Sequence, residues 1–233
     1  MAKKRTIVGS PLTPTLLKEL GGIDKLAPKP ASFKPEGNWV NSYRIWTCHG
    51  YRESGNQNVG FLRIERSGES SGTFSLNIHR EVVQTDGITN IIEGTIQCRN
   101  NPLASPTQWR LSSRFTGTDG RDIPELASVD NCAKAEHMDA TTGDWCLFEA
   151  VQRLAFDKRS SLSFDLLEGL SLSKSKHRLF YRGVRPIRMD DGDVPLHCFV
   201  QLGSGILPCE YWLDARHRLL AVTSMNKAYI LDK

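Results

Sequence analysis

The chain reads as a mainly β (α+β) protein: a curved antiparallel sheet or half-barrel with one central amphipathic helix. Three observations predict this. Strict apolar/polar alternation recurs along most of the chain, turn-forming clusters separate the alternating runs at short intervals, and a single segment, residues 144–155, switches to a 3.6-residue period.

The clearest alternation is at residues 74–82. Phe74, Leu76, Ile78 and Val82 interleave with Ser75, Asn77, His79 and Glu81, as in a strand with one buried and one wet face. Segments 39–48 and 58–66 precede it, and 88–98 and 109–115 come after. Ser54-Gly55-Asn56, residues 67–72 and Asp86-Gly87 supply the turns. Residues 117–143 lose all periodicity and are expected to form a long loop. Asp144 then caps a helix whose Leu147, Phe148, Val151 and Leu154 share one side, with Glu149, Gln152 and Arg153 expected on the other, facing water. Strand-like segments resume at 162–167, 179–181, 196–202, 210–213, 219–223 and 228–231, for ten to twelve strands in all. The interior is expected to hold no charged cluster.

Two segments divide the chain: a basic N-terminal arm, residues 1–37, with a short helix from Pro14 to Leu20, and one antiparallel domain, residues 38–233. A chain of 233 residues buries enough surface to fold without disulfides or metal. The six cysteines form no C-x-x-C pair and read as free thiols, most of them in apolar settings.

Charge excludes one function class. The formal net charge is +4, and the seven Lys or Arg and three acids of residues 1–37 account for all of it. The remaining body is neutral, so no domain-wide polyanion footprint exists and no nucleic-acid partner is expected. Within it, residues 119–144 are acidic and residues 153–188 basic, which reads first as complementary solvated surfaces and second as a face for an anionic partner. Lys3-Lys4-Arg5 has the charge of an export signal, but Pro11 and Pro14 interrupt the next residues and no apolar run succeeds it. No stretch approaches a membrane span. A cytoplasmic location is the default expectation, with export left open.

The stretch Gly203-Ser204-Gly205-Ile206-Leu207-Pro208, then Tyr211-Trp212-Leu213-Asp214 and Arg218-Leu219-Leu220, with the helix start Asp144-Trp145-Cys146-Leu147-Phe148, resembles uncharacterised bacterial β proteins. Those are distantly similar to the lipoprotein-carrier half-barrel. The resemblance implies a strongly curved sheet with a helix against its concave side, no catalytic motif, and an exported protein, which this N-terminus does not match.

Candidate chemistry is sparse. Cys146 falls at the second position of the expected helix, where free N–H groups and the helix dipole favour a thiolate, and His197 and Asp214 come later in a Cys, His, Asp order. Packed thiol, satisfied histidine and turn aspartate are the competing readings. Cys48-His49 and His197-Cys198 are adjacent pairs, and strand neighbours point to opposite faces, so each offers one ligand per side and no metal is expected. Asp190-Asp191-Gly192-Asp193 reads as a hairpin turn. Trp145, Phe148, Tyr211 and Trp212 are the candidates for lining an apolar groove, and core filling is the alternative. The preferred reading is a non-enzymatic β scaffold, with no cofactor, holding an apolar small molecule or a protein partner between sheet and helix. The alternative is a cysteine-dependent hydrolase or acyltransferase using Cys146, His197 and Asp214.

Overall fold

A computed structural model describes residues 33–48, 56–68, 72–135, 138–189 and 192–232. The strands are β1 (Trp39–Thr47), β2 (Gln57–Gly68), β3 (Thr73–Val83), β4 (Thr89–Arg99), β5 (Pro106–Thr116), β6 (Ser128–Cys132) and β7 (Thr141–Gly143). After helix α1 (Asp144–Arg153) come β8 (Ser161–Glu168), β9 (Leu172–Met189), β10 (Gly192–Leu202), β11 (Cys209–Leu213), β12 (Leu219–Thr223) and β13 (Lys227–Leu231). The expected arm helix and His49 lie outside the described residues, as do Asp190 and Asp191.

The strands form one sheet of thirteen, ordered β6-β5-β4-β3-β2-β1-β13-β12-β11-β10-β9-β8-β7. Two meanders meet in the middle, where β1 and β13 pair antiparallel with Tyr43 opposite Leu231 and Ile45 opposite Tyr229. The alternation seen in β3 has its expected consequence: Phe74, Leu76 and Ile78 are buried and Asn77 is exposed. The sheet curls until its two edges approach without a shared ladder. Instead, the Thr142 hydroxyl of β7 donates to the Leu103 carbonyl at 2.6 Å, and the Ser105 hydroxyl donates to the Asp139 carbonyl at 3.2 Å, joining the β7 edge to the β4–β5 turn. The result is an open sheet of barrel-like curvature.

Curvature decides what happens to α1, the one α-helix among the described residues. Strands from both halves of the sheet touch it. Phe148 meets Tyr43 of β1 and Tyr229 of β13 edge-on at ring separations of 5.3 Å, and Tyr211 of β11 at 6.4 Å. Cys146 lies against Cys98 of β4, Glu149 against Arg66 of β2, and the Leu219 N–H of β12 donates to Gln152 Oε1 at 3.0 Å.

Several expectations are corrected by this architecture. Glu149 and Gln152 do not face water; both are fully buried, because the sheet wraps the helix on all sides instead of flanking it. An interior charged cluster exists. Glu149 accepts from Arg66 Nε at 2.9 Å and from Arg153 at 2.6 and 2.9 Å, while Arg66 donates to the Glu36 and Gly37 carbonyls. Three polar groups in a dry interior are tolerable because each one is partnered. Residues 117–143 are not all loop: Ser128–Cys132 pair with β5, and Thr141–Gly143 run parallel to β8, the one parallel pairing among the described residues. The helix cap is Gly143 rather than Asp144, and the helix ends at Arg153.

Candidate functional site

Antiparallel strands alternate in direction, so their turns alternate between the two ends of the sheet. The turns after β8, β10 and β12 therefore share one end. β7 runs parallel to β8, which delivers the start of α1 to the same end. A cavity of about 300 Å³ lies there. Its apolar wall comes from Trp145, Phe148, Leu166, Ile206, Leu207 and Val222. Its polar wall comes from Asp144, Glu168, Gln201, Tyr211, Lys227 and Tyr229.

Burial shapes the chemistry of the polar wall. Asp144, half-buried as the first helical residue, accepts the Trp145 N–H at 3.1 Å, yet loss of hydration pushes its carboxyl up to about 6. Glu168 is engaged by Lys174 Nζ at 2.7 Å. Lys227 is half-buried, and desolvation together with nearby Arg80 lowers its pKa, against the smaller pull of Asp144 and Glu168. Burial raises Tyr211 well above its usual value and pushes Tyr229 and Cys209 up to about 12, so all three keep their protons at neutral pH. The Tyr211 hydroxyl donates to Gln201 Oε1 at 2.8 Å, and Gln201 Nε2 reaches His177 Nδ1 at 3.2 Å. Gly203 lets this chain of bonds exist, since a Cβ there would sit 2.3 Å from the His177 ring.

The fold built this way is not unique to this chain. The architecture is shared with a β-barrel-like protein. That protein is a domain of unknown function, DUF1849, from Brucella abortus, whose crystal structure superposes with a TM-score of 0.53 at 10% sequence identity, covering 85% of this chain and 97% of the other. At that identity the likeness concerns the fold. No protein-family model matches the chain, and no curated protein matches its sequence.

The structure distributes the sequence-derived candidates unevenly. Trp145, Phe148 and Tyr211 line the cavity. Trp212 is one residue further along β11 and faces the opposite side, where its indole N–H donates to Thr223 Oγ1 at 3.0 Å. Cys146 is the third helical residue rather than the second, fully buried, with its sulfur 3.8 Å from that of Cys98. His197 sits on β10, hydrogen-bonded to the Tyr181 hydroxyl at 2.7 Å and stacked on Phe156 at 3.6 Å, with His217 on the other face of the same ring at 3.9 Å. Asp214 comes directly after Leu213, the cross-strand partner of His197, and accepts the Arg216 and Arg218 N–H groups of its turn. His197 on β10 and Asp214 in the β11–β12 turn are thus near the end of α1, whereas Cys146 is near its start. Arg153, expected in a solvated basic face, is instead held by Glu149. Among the described residues no three His, Cys, Asp or Glu converge on a metal position.

Asp144, Glu168, Gln201, Lys227 and Tyr229 carry no sign in the sequence that they are wall residues. Tyr229 and Lys227 are spaced by two on a strand, which places them on one face, but which face is inside depends on the pairing of β13 with β1.

Proposed function

We propose that this protein is a non-enzymatic β scaffold that holds an apolar small molecule in the cavity at the start of α1. The observation that carries this reading is a space between helix and curved sheet whose apolar wall is built by Trp145, Phe148, Leu166, Ile206, Leu207 and Val222. Its volume of about 300 Å³ meets the lower end of the roughly 300–1,000 Å³ usual for ligand sites. The resemblance to half-barrel carriers, which close a curved sheet over an apolar space, points the same way.

The test is binding of N-phenyl-1-naphthylamine, a neutral apolar fluorophore, to the full chain. Saturable binding that is lost in Leu207→Glu supports the reading, because Leu207 lies at the cavity wall and is itself 45% exposed. Absence of saturable binding refutes it.

A further inference from the structure

The cavity is lined by one ammonium, Lys227, and two carboxyl groups, Asp144 and Glu168. Lys227 brings an ammonium to the wall, and among the described residues no carboxylate comes within ion-pair distance of it. Behind it, Arg80 of β3 donates to Asn90 Oδ1 at 3.0 Å and lies close enough to act on both Lys227 and Tyr229. Both carboxyl groups pull on Lys227, but neither pairs with it directly. Glu168 is paired with Lys174 at 2.7 Å, and Asp144 is turned back on the helix start, accepting the Trp145 N–H. Tyr229 adds a hydroxyl that keeps its proton, beside Phe148 and Lys227. A half-buried ammonium on which Asp144 and Glu168 act only from beyond ion-pair distance gains a direct partner when an anionic group enters the cavity.

We propose that the cavity binds a single-chain amphiphile with a monoanionic head, of the class of a medium-chain fatty acid, its head set against Lys227 and its chain along Trp145, Phe148, Leu166 and Leu207. The proposal rests on the cavity reading above and adds the head group to it. Size sets the single chain, since about 300 Å³ leaves no room for a two-chain lipid. Polarity sets the orientation. Lys227 and Tyr229, two apart on β13, bring an ammonium and a hydroxyl to one face of that strand, whereas Leu166 of β8 and Ile206 and Leu207 of the β10–β11 turn reach the cavity from other elements. Lysine engages such a head as a point charge and accepts carboxylate without bidentate geometry.

Displacement of N-phenyl-1-naphthylamine from the full chain at pH 7 by decanoate, decan-1-ol and decyltrimethylammonium tests this. Decanoate is expected to displace the fluorophore at a concentration about tenfold lower than decan-1-ol, a difference of roughly 1.4 kcal/mol, with the cation weakest of the three. Lys227→Met brings decanoate to the level of decan-1-ol, and Asp144→Asn sharpens the preference for decanoate by removing a competing negative charge. Equal displacement by all three compounds, or a preference that survives in Lys227→Met, overturns the head-group assignment and leaves the apolar site standing. Failure of every compound to displace a bound fluorophore overturns the amphiphile assignment alone, and failure of the fluorophore to bind overturns both.

Discussion

Replacing Glu149 by alanine strips the carboxylate from a buried site that holds two guanidinium groups. Arg66 is 3% exposed and Glu149 0% at the side chain, so neither is in contact with bulk water. Three charge-assisted hydrogen bonds disappear, one from Arg66 Nε at 2.9 Å and two from Arg153 at 2.6 and 2.9 Å. The two arginines then fare differently. Arg153 is 10% exposed and keeps Asn100 and the Asn101 carbonyl as partners. Among the described residues Arg66 keeps the carbonyls of Glu36 and Gly37 and the Phe74 ring, 4.3 Å from its guanidinium, and no carboxylate there replaces Glu149. Breaking a buried pair from one side costs about 3–5 kcal/mol, and the upper half of that range applies here because one carboxylate serves two cations. Arg66→Met costs less, about 2–3 kcal/mol, because Glu149 remains bonded to Arg153. The double variant Arg66→Met/Glu149→Leu should fall short of the sum by about 2 kcal/mol. Urea unfolding monitored by tryptophan fluorescence measures all three, and at an m-value of about 2–3 kcal/mol/M the Glu149→Ala midpoint drops by about 1.5–2 M. A Glu149→Ala loss under about 1 kcal/mol, or additivity within about 0.5 kcal/mol, would refute the claim that the helix is anchored through this cluster.

Single sites carry further expectations. Asp144 has a folded-state pKa of about 6, above the ordinary aspartate value, so the fold favours the protonated acid. Its contribution to stability is full below about pH 4 and is lost as pH rises through 6, a change of about 2–3 kcal/mol; Asp144→Asn should flatten the stability profile over that interval, and parallel profiles would contradict it. Thiol titration at pH 7 should find Cys132 reacting first, since Cys48, Cys98, Cys146 and Cys198 are buried and the half-buried Cys209 has its thiol pushed up to about 12. Rapid selective labelling of Cys146 with iodoacetamide would instead favour the hydrolase reading with His197 and Asp214. Gly60→Ala places a Cβ 1.9 Å from the Glu81 carbonyl oxygen, a backbone atom that cannot swing aside. A loss of about 2–3 kcal/mol in urea is expected from the forced shift of the β2–β3 ladder, and an unchanged midpoint would show that the ladder yields freely.

Much of the fold is legible in local patterns. The two-residue alternation of Phe74, Leu76 and Ile78 marks β3 because successive side chains on any strand point to opposite faces, whatever else the chain does. The run Leu219–Thr223 is visible as a short apolar stretch, the turn at Asp214 by its turn-forming residues, and the start of the helix near Asp144 by the change to a 3.6-residue period. Strands β6 and β7 escape such reading. Each has only five or three residues, too few for a period, and each is a strand only because β5 or β8 pairs with it.

What the residues determine by themselves about this protein is the kind of element in each segment and which positions share a side, since both depend on backbone geometry over a few bonds. Tertiary structure alone decided that Glu149 and Gln152 are interior, that Arg66 crosses to meet the helix, and that Lys227 and Asp144 face one cavity. Those outcomes depend on how far a thirteen-strand sheet curls and on β1 closing against β13, which joins residues almost two hundred positions apart. Burial is a property of the completed surface, and a polar side chain carries no local sign that its partner will arrive from the far end of the chain.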